Sequence, residues 1–444
     1  MDIIRTVASN LQENLGEQLD QLARDCRVVL REREFTGQTL LLMIVATLLH
    51  KPDATWTDFH LTAAQLGLQV TRTAVEKRFA AGQPLVDFLR SAFEQALRKS
   101  VTGKPSSTDL FQCFTAVLVG DATTIALPDE LADLFPGCGG ATGTSRAALK
   151  IQVLWDLKNG ELVKLHVEPG RASDAKSPIA VTEAEPGTLL VYDLGYFDLS
   201  RFAALDDHEA KYVSRLQHGT QVYDIDGNHL DLLTYLRKQP TALVDREVLL
   251  GVSEQLRCRL IAIRVPEEVA GRRRQQAIEK AKKKGRMPSA QYLELLGWSL
   301  FITNVSKEDL TGKAVVVLYR ARWQIELLFK LWKSHNHLER SRSGAKALEV
   351  LAVFYAKLLG VLLQHWMLVA TAGANESRSM PKAALALMEM VKALLLCLKD
   401  RVKMEEELYK LRAVIENLGG TTNRKKDPSH AQLIADPEFL TWLC

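Results

Sequence analysis

The chain has 444 residues, 47% of them hydrophobic and 25% charged. This balance excludes a disordered, collagen-like or wholly membrane-embedded polymer and leaves ample length for several buried cores. Lys and Arg number 57 against 53 Asp and Glu, a net charge of +4, too small to mark a polyanion binder unless the positive charge is concentrated locally.

The six cysteines, Cys26, Cys113, Cys138, Cys258, Cys397 and Cys444, form no Cys-x-x-Cys pair. Neither a zinc site nor a disulfide framework is expected, and a reducing cytosol fits best. Met1 to Asn10 has no basic start followed by an apolar run, so a secretory signal is not expected. The longest apolar stretch, Leu351 to Gly373, is interrupted by Lys357, Gln364 and His365, which argues for a buried helix over a membrane span.

From residue 1 to about 105, apolar positions recur at helical spacing, as in Leu22, Cys26, Val29 and Leu30 and in Val86, Leu89, Phe93 and Leu97. Trp56 to Leu66, Gly67, and Thr71 to Phe79 read as two short helices around a glycine turn. The second carries Arg72, Lys77 and Arg78. This is either a helix-turn-helix for DNA or a structural corner with a solvated basic face. Gly103 to Ser107 reads as a linker.

Beyond it the pattern becomes α/β. A short apolar strand from Phe114 ends at Val119, Gly120 and Asp121, and Ala147–Asp156 with Leu162–Glu168 flank an Asn159-Gly160 hairpin turn. A helix is expected around Ser173 to Thr182, then a strand from Thr188 to Tyr192 ending at Asp193, a helix near Leu199 to Leu205, and a strand from Lys211 to Leu216. The order describes a mixed sheet in which two strands end in aspartate.

Residues 219–305 interrupt this plan with β-type runs at Val244–Val252, Cys258–Val265 and Trp298–Val305, around a basic segment, Gly271 to Arg286, holding eight Lys or Arg and one acid, Glu279. The span from Asp193 to Glu326 far exceeds the ~30 residues of one strand-helix step, so an inserted subdomain is expected. Trp298 is assigned to a core strand. The run Arg272 to Arg286 reads equally as a solvated face or as a phosphate-neutralising surface. A long helix from about Gly312 to His335 follows, then a loop around Ser341 to Gly344 and helices over about 346–372, 381–399 and 402–418. The apolar stripes of this tail suit either core or a dimer surface.

Three acids stand where a mixed sheet gathers ligands: Asp121 and Asp193 at strand ends and Glu326 on the helix that follows. With the first and fourth strands side by side, the two aspartates can share a hard divalent cation and Glu326 can complete a two-metal site. Carboxylates suit magnesium or manganese. At 100° per residue, Tyr319, Arg322, Glu326 and Lys333 share a stripe about 60° wide. Arg322 and Lys333 suit phosphate oxygens and Glu326 suits a metal. A simple Arg322–Glu326 helix salt bridge would leave Tyr319 and Lys333 unexplained. His335 and His337 read as a solvated helix end or as DNA contacts.

The spacing Tyr-x2-Arg-x3-Glu-x6-Lys in Tyr319, Arg322, Glu326 and Lys333 resembles the signature of one large branch of bacterial insertion-sequence transposases, the DDE transposases with a ribonuclease H-like core. Gly120 to Ile125, with Leu127-Pro128 after it, looks like the family's first-aspartate motif, and Tyr192 to Phe197 looks like its second. Ala122 departs from the serine more often expected there. The resemblance spans about 110 to 345, β-rich insertion included.

It implies that Asp121, Asp193 and Glu326 are the catalytic metal-binding triad for two Mg2+ ions, with Mn2+ as a substitute. Tyr319, Arg322 and Lys333 would contact the transposon end, and the protein would act as a homodimer on double-stranded DNA. The family also sets an aromatic side chain of the insertion against a flipped base, which nothing in the sequence assigns to Trp298. The expected organisation is a helical DNA-binding domain at 1–105, a ribonuclease H-like α/β core at 106–218 resumed at 306–345, a β-rich insertion at 219–305 and a helical region at 346–444. The expected function is cleavage at terminal inverted repeats and transfer of the 3′ ends to target DNA. A non-catalytic DNA-binding regulator and a structure-selective nuclease are the rivals.

Overall fold

The computed structural model describes residues 2–418 except 32, 100, 104, 105, 107, 140–145, 341–343, 373–379, 398 and 399. Much of the expected linker at 103–107, the loop at 341–344, the end of the 381–399 helix, and everything past 418, Cys444 included, therefore lie outside the described residues.

Among the described residues seven helices come first: α1 (Ile3–Asn14), α2 (Gln18–Asp25), α3 (Gly37–His50), α4 (Trp56–Gln65), α5 (Arg72–Phe79), α6 (Gln83–Leu97) and the short α7 (Asp109–Gln112). Thr55 and Asp58 form a reciprocal capping box that starts α4, and Gly67, at φ +81°, turns the chain toward α5. The two helices close on an aromatic cluster of Trp56, Phe59 and Phe79, with ring centroids 4.8 to 5.9 Å apart. Arg78, expected on a basic face, lies over the Phe35 ring at 5.0 Å and donates to the Val28 carbonyl, so it holds α5 to the α2–α3 loop. Arg72 and Lys77 remain exposed.

The sheet follows, with β1 (Val117–Leu127), β2 (Ala147–Asp156), β3 (Leu162–Pro169), β4 (Leu189–Tyr192), α8 (Leu199–Asp207), β5 (Lys211–Arg215), β6 (Val222–Tyr223), α9 (Leu232–Arg237), β7 (Leu243–Leu250), β8 (Leu256–Arg264), α10 (Glu267–Lys282), α11 (Ala290–Leu295) and β9 (Trp298–Thr303). Nine strands lie in the order β3-β2-β1-β4-β5-β9-β8-β7-β6. β4 is parallel to both β1 and β5, and the other pairings are antiparallel. The strands between residues 219 and 305 thus extend this sheet, because β9 pairs with β5. Trp298 begins β9 and is buried, with Arg264 stacked 4.8 Å from its ring.

Two local expectations change. The helix around Ser173 to Thr182 is a single 3-10 turn at Asp174–Lys176, since Pro178 supplies no N–H and forces Ser177 into extended backbone. The strand expected to end at Asp121 continues to Leu127, because β2 pairs with it along that whole stretch. Parallel pairing with β4 covers only Val117 to Gly120. Asp121 is therefore the first residue of β1 to lose its parallel neighbour.

The helices after the sheet are α12 (Gly312–Ala321), α13 (Trp323–Ser334), α14 (Ala347–Ala372), α15 (Met380–Leu396) and α16 (Arg401–Asn417). The long helix expected from Gly312 divides at Arg322, whose N–H bonds three residues back to the Tyr319 carbonyl. α14 is long and apolar enough to cross a membrane by length and composition, but in the fold it packs against α1, α3, α6 and α16. A Cβ at Gly360 would come within 3.0 Å of Leu49, a measure of how closely α14 approaches α3. Helices from both ends of the sequence build this body.

His365, in the middle of α14, is buried and holds the Gly160 carbonyl of the β2–β3 turn through Nε2 at 2.7 Å. Burial, opposed in part by that carbonyl, lowers its pKa from 6.5 to about 4. Between these values the unfolded chain binds more protons than the folded one, so stability should fall as pH falls from about 6.5 to 4, by up to about 3 kcal/mol. Denaturant unfolding at pH 7 and pH 5 should show this loss in the parent and much less of it in His365→Gln.

Candidate active site

β1, β4 and α13 carry the three acids to one open pocket. Its walls include Asp121, Asp193, Arg322, Glu326, Lys330 and Lys333. Asp193 leaves β4 at the start of a 3-10 turn, Leu194–Tyr196. β4 can lie this close to β1 because Gly120 has no side chain: a Cβ there would come within 2.6 Å of the Tyr192 ring. α13 packs across β1 and turns Glu326 toward Asp121. The sequence-derived stripe thus converges with both aspartates.

One guanidinium organises the pocket. Arg322 donates from Nη1 to Asp121 Oδ2 at 2.7 Å and from Nη2 to Glu326 Oε1 at 2.6 Å. The Arg322–Glu326 bridge is therefore present as one arm of a larger arrangement. Burial opposes the Arg322 charge, but Asp121, Tyr319, Asp193 and Glu326 reverse the balance and raise its pKa. The Asp121 carboxyl is pushed up to about 6 by burial, with Asp193 and Glu326 adding to the rise and Arg322 and the Ala122 N–H resisting it.

Tyr319 donates its hydroxyl to Asp193 Oδ1 at 3.0 Å, and its phenol pKa is raised by burial and by that carboxylate. Its ring also rests beside Phe301, 5.1 Å between centroids. Lys333 reaches back to the Thr124 carbonyl at 2.9 Å. Ala122 gives its backbone N–H to Asp121 Oδ1 at 2.8 Å, a bond that needs no serine hydroxyl. His337 lies outside the pocket, with Nδ1 3.0 Å from Asp53 of the α3–α4 loop. Buried Lys357 on α14 donates to the His337 and Arg340 carbonyls, both at 2.8 Å, and so fixes the chain just beyond α13.

Sequence reasoning missed two features. Lys330 lines the pocket, and at 100° per residue it falls about 20° beyond Tyr319, at the edge of the same stripe. On the other face of the sheet, Gln152 donates to Glu168 Oε1 at 2.8 Å and to Asp174 Oδ1 at 2.9 Å and accepts from the Tyr196 hydroxyl. Lys150 also donates to Asp174. This network braces the turn that follows Asp193. Its members are scattered through the sequence and carry no spacing signal.

Among the described residues, no group of three His, Cys, Asp or Glu side chains surrounds a point where a metal ion could sit. The chain's own cation, Arg322, occupies the space between Asp121 and Glu326. A positively charged group is thus already accommodated there, and the oxygen-only donor set matches the preference of Mg2+ or Mn2+.

Residues 112–359 match the family described as Transposase DDE domain. The chain belongs to the DDE transposase family. It is 28% identical over 380 residues to the transposase for insertion sequence element IS231F of Bacillus thuringiensis subsp. israelensis, covering 78% of this chain and 76% of that one. The transposase for insertion sequence element IS1151 of Clostridium perfringens is 23% identical over 385 residues, 81% of this chain and 80% of its own. The putative transposase InsL for insertion sequence element IS186A of Escherichia coli (strain K12) is 24% identical over 363 residues, 78% of this chain and 89% of its own. In this DDE transposase, the match begins in α7 and reaches into α14.

Arg322→Met should leave two partly buried carboxylates without their counter-charge and destabilise the protein by roughly 2 to 4 kcal/mol. Saturating Mg2+ should recover more melting temperature in the variant than in the parent. Equal melting of the two proteins, with equal Mg2+ responses, would contradict the bridging role of this guanidinium.

Proposed function

We propose that this protein is the transposase of an insertion sequence: it binds the terminal inverted repeats of its element, cleaves phosphodiester bonds there and transfers the freed 3′ ends to target DNA. The observation that carries this reading is the convergence of Asp121, Asp193 and Glu326 in one open pocket with Tyr319, Arg322 and Lys333 beside them. The sheet supports a ribonuclease H-like core, with three antiparallel strands, β1 to β3, followed by β4 and β5 parallel to β1. Residues 1–105 serve DNA binding, 219–305 form the β-rich insertion, and two copies act together as a homodimer on DNA. The protein works in the bacterial cytoplasm, at the nucleoid.

Asp121, Asp193 and Glu326 would hold two divalent cations, Mg2+ or Mn2+, which supply activation of water or a 3′-hydroxyl and stabilisation of the leaving oxygen. The chain's own residues do the remaining work. Arg322 moves from the carboxylates to a phosphate oxygen, where its planar fork makes a stronger contact than a lysine point charge. Lys333 gives up the Thr124 carbonyl for another phosphate oxygen. Tyr319 keeps Asp193 oriented through its hydroxyl, and the Ala122 N–H holds one oxygen of Asp121. No side-chain nucleophile is required.

The test is cleavage of a duplex bearing the inverted repeat that flanks the coding region, with Mg2+ and a supercoiled target plasmid. The parent should nick at the repeat and yield a strand-transfer product. Asp193→Asn and Glu326→Gln should each lose more than about a hundredfold in rate. Cleavage without transfer would indicate a nuclease, and binding without cleavage a regulator.

A further inference from the structure

We infer that α10 and the turn after it form a second contact with duplex DNA, a basic rail that grips the phosphate backbone beyond the cleavage pocket. This rests on the transposase reading and adds a surface to it. The segment Gly271 to Arg286 holds eight basic residues and one acid, or +7, against +4 for the entire chain. Without it the rest of the protein is net negative.

The sheet register brings the start of α10 to the same end of the sheet as Asp193. Tyr192 of β4 is level with Ser214 of β5, Ser214 with Ile302 of β9, and Ile302 with Leu260 of β8. Past that row, β4 delivers Asp193 and β8 runs in the same direction to Arg264, after which α10 begins. Both therefore leave the sheet at one edge. The two strands are three spacings, about 14 Å, apart, and β8 runs three residues, about 10 Å, further than Asp193 before it ends; the 16 residues of α10 extend about 24 Å.

The basic side chains divide into two groups by their partners. Arg273 donates to Ser299 Oγ at 3.1 Å, and Arg274 donates to the Leu293 carbonyl at 3.1 Å and pairs with Glu267. With Val269 and Ala270 buried, these bonds fasten the first half of α10 to β9 and α11. Arg272, Lys280, Lys282, Lys283, Lys284 and Arg286 are exposed and make no ion pair among the described residues. Other surface cations nearby are matched, as in Arg237–Glu294 and Arg257–Glu247.

A few positive charges at a helix C-terminus are favourable in themselves. Here, however, Lys280, Lys282, Lys283, Lys284 and Arg286 crowd into seven residues at the helix end and the turn after it, and like charges that close repel. A polyanion relieves that repulsion. Duplex DNA, with about one charge per 1.7 Å of axis, offers phosphates along the whole length of such a helix, and the contact is independent of base sequence.

The test uses the full chain with Lys280, Lys282, Lys283 and Lys284 all changed to Gln, and a parallel variant with all four changed to Arg. Binding to a fluorescent 60-base-pair duplex of random sequence is measured over a salt series. The slope of log affinity against log salt should fall by about 3 to 4 for the Gln variant, with at least about tenfold weaker binding at 0.1 M salt. The Arg variant should bind as the parent does. Cleavage of a short, saturating end duplex should persist in both. An unchanged slope in the Gln variant, or an equal loss in both variants, would overturn the inference. A parent that binds DNA with the expected slope yet cuts nothing would instead overturn the transposase reading alone.

Discussion

The pocket depends on a single cation shared by two acids. Asp121 and Glu326 approach each other because the Arg322 guanidinium stands between them, while the Tyr319 hydroxyl holds Asp193 alongside. Without such a counter-charge, carboxylates gathered in a half-buried cleft would repel one another or take up protons. The strands and helices around the pocket make that arrangement rigid: β1 and β4 fix the aspartates, and α13 has its opposite side packed through Ile325, Leu328 and Trp332.

An arginine in this position connects folding to chemistry. It stabilises the acids of the pocket, and its planar fork is of a shape that also suits phosphate oxygens. α13 is fixed at both ends. It is bounded at its start by Arg322 itself, and the chain beyond its end is tied to α14 by the buried Lys357.

Much of the site was legible in the sequence because it lies on one helical stripe, where periodicity converts spacing into direction. Tyr319, Arg322, Glu326 and Lys333 all reach the region of the aspartates, and β1 and β4 are neighbours. What escaped depends on pairing between distant segments. The extension of β1 beyond Asp121 reflects its partnership with β2, and the joining of residues 219–305 to the main sheet reflects a bond ladder between β5 and β9. The Gln152 network gathers polar groups from four separate stretches, and Arg78 became a packing residue because Phe35 lies beneath it. None of these is encoded in local periodicity.

The helical body also has a bearing on biosynthesis. α3 is apolar on nearly every side, and besides its neighbours α2 and α4 it is covered by α14 and α15, separated from it by the whole sheet. During translation those surfaces wait for partners that leave the ribosome some 300 residues later. Contacts so distant in sequence form slowly and leave oily faces open to aggregation or chaperones in the interval. A prematurely terminated product would keep the front helices of the chain yet lack the helices that bury their core.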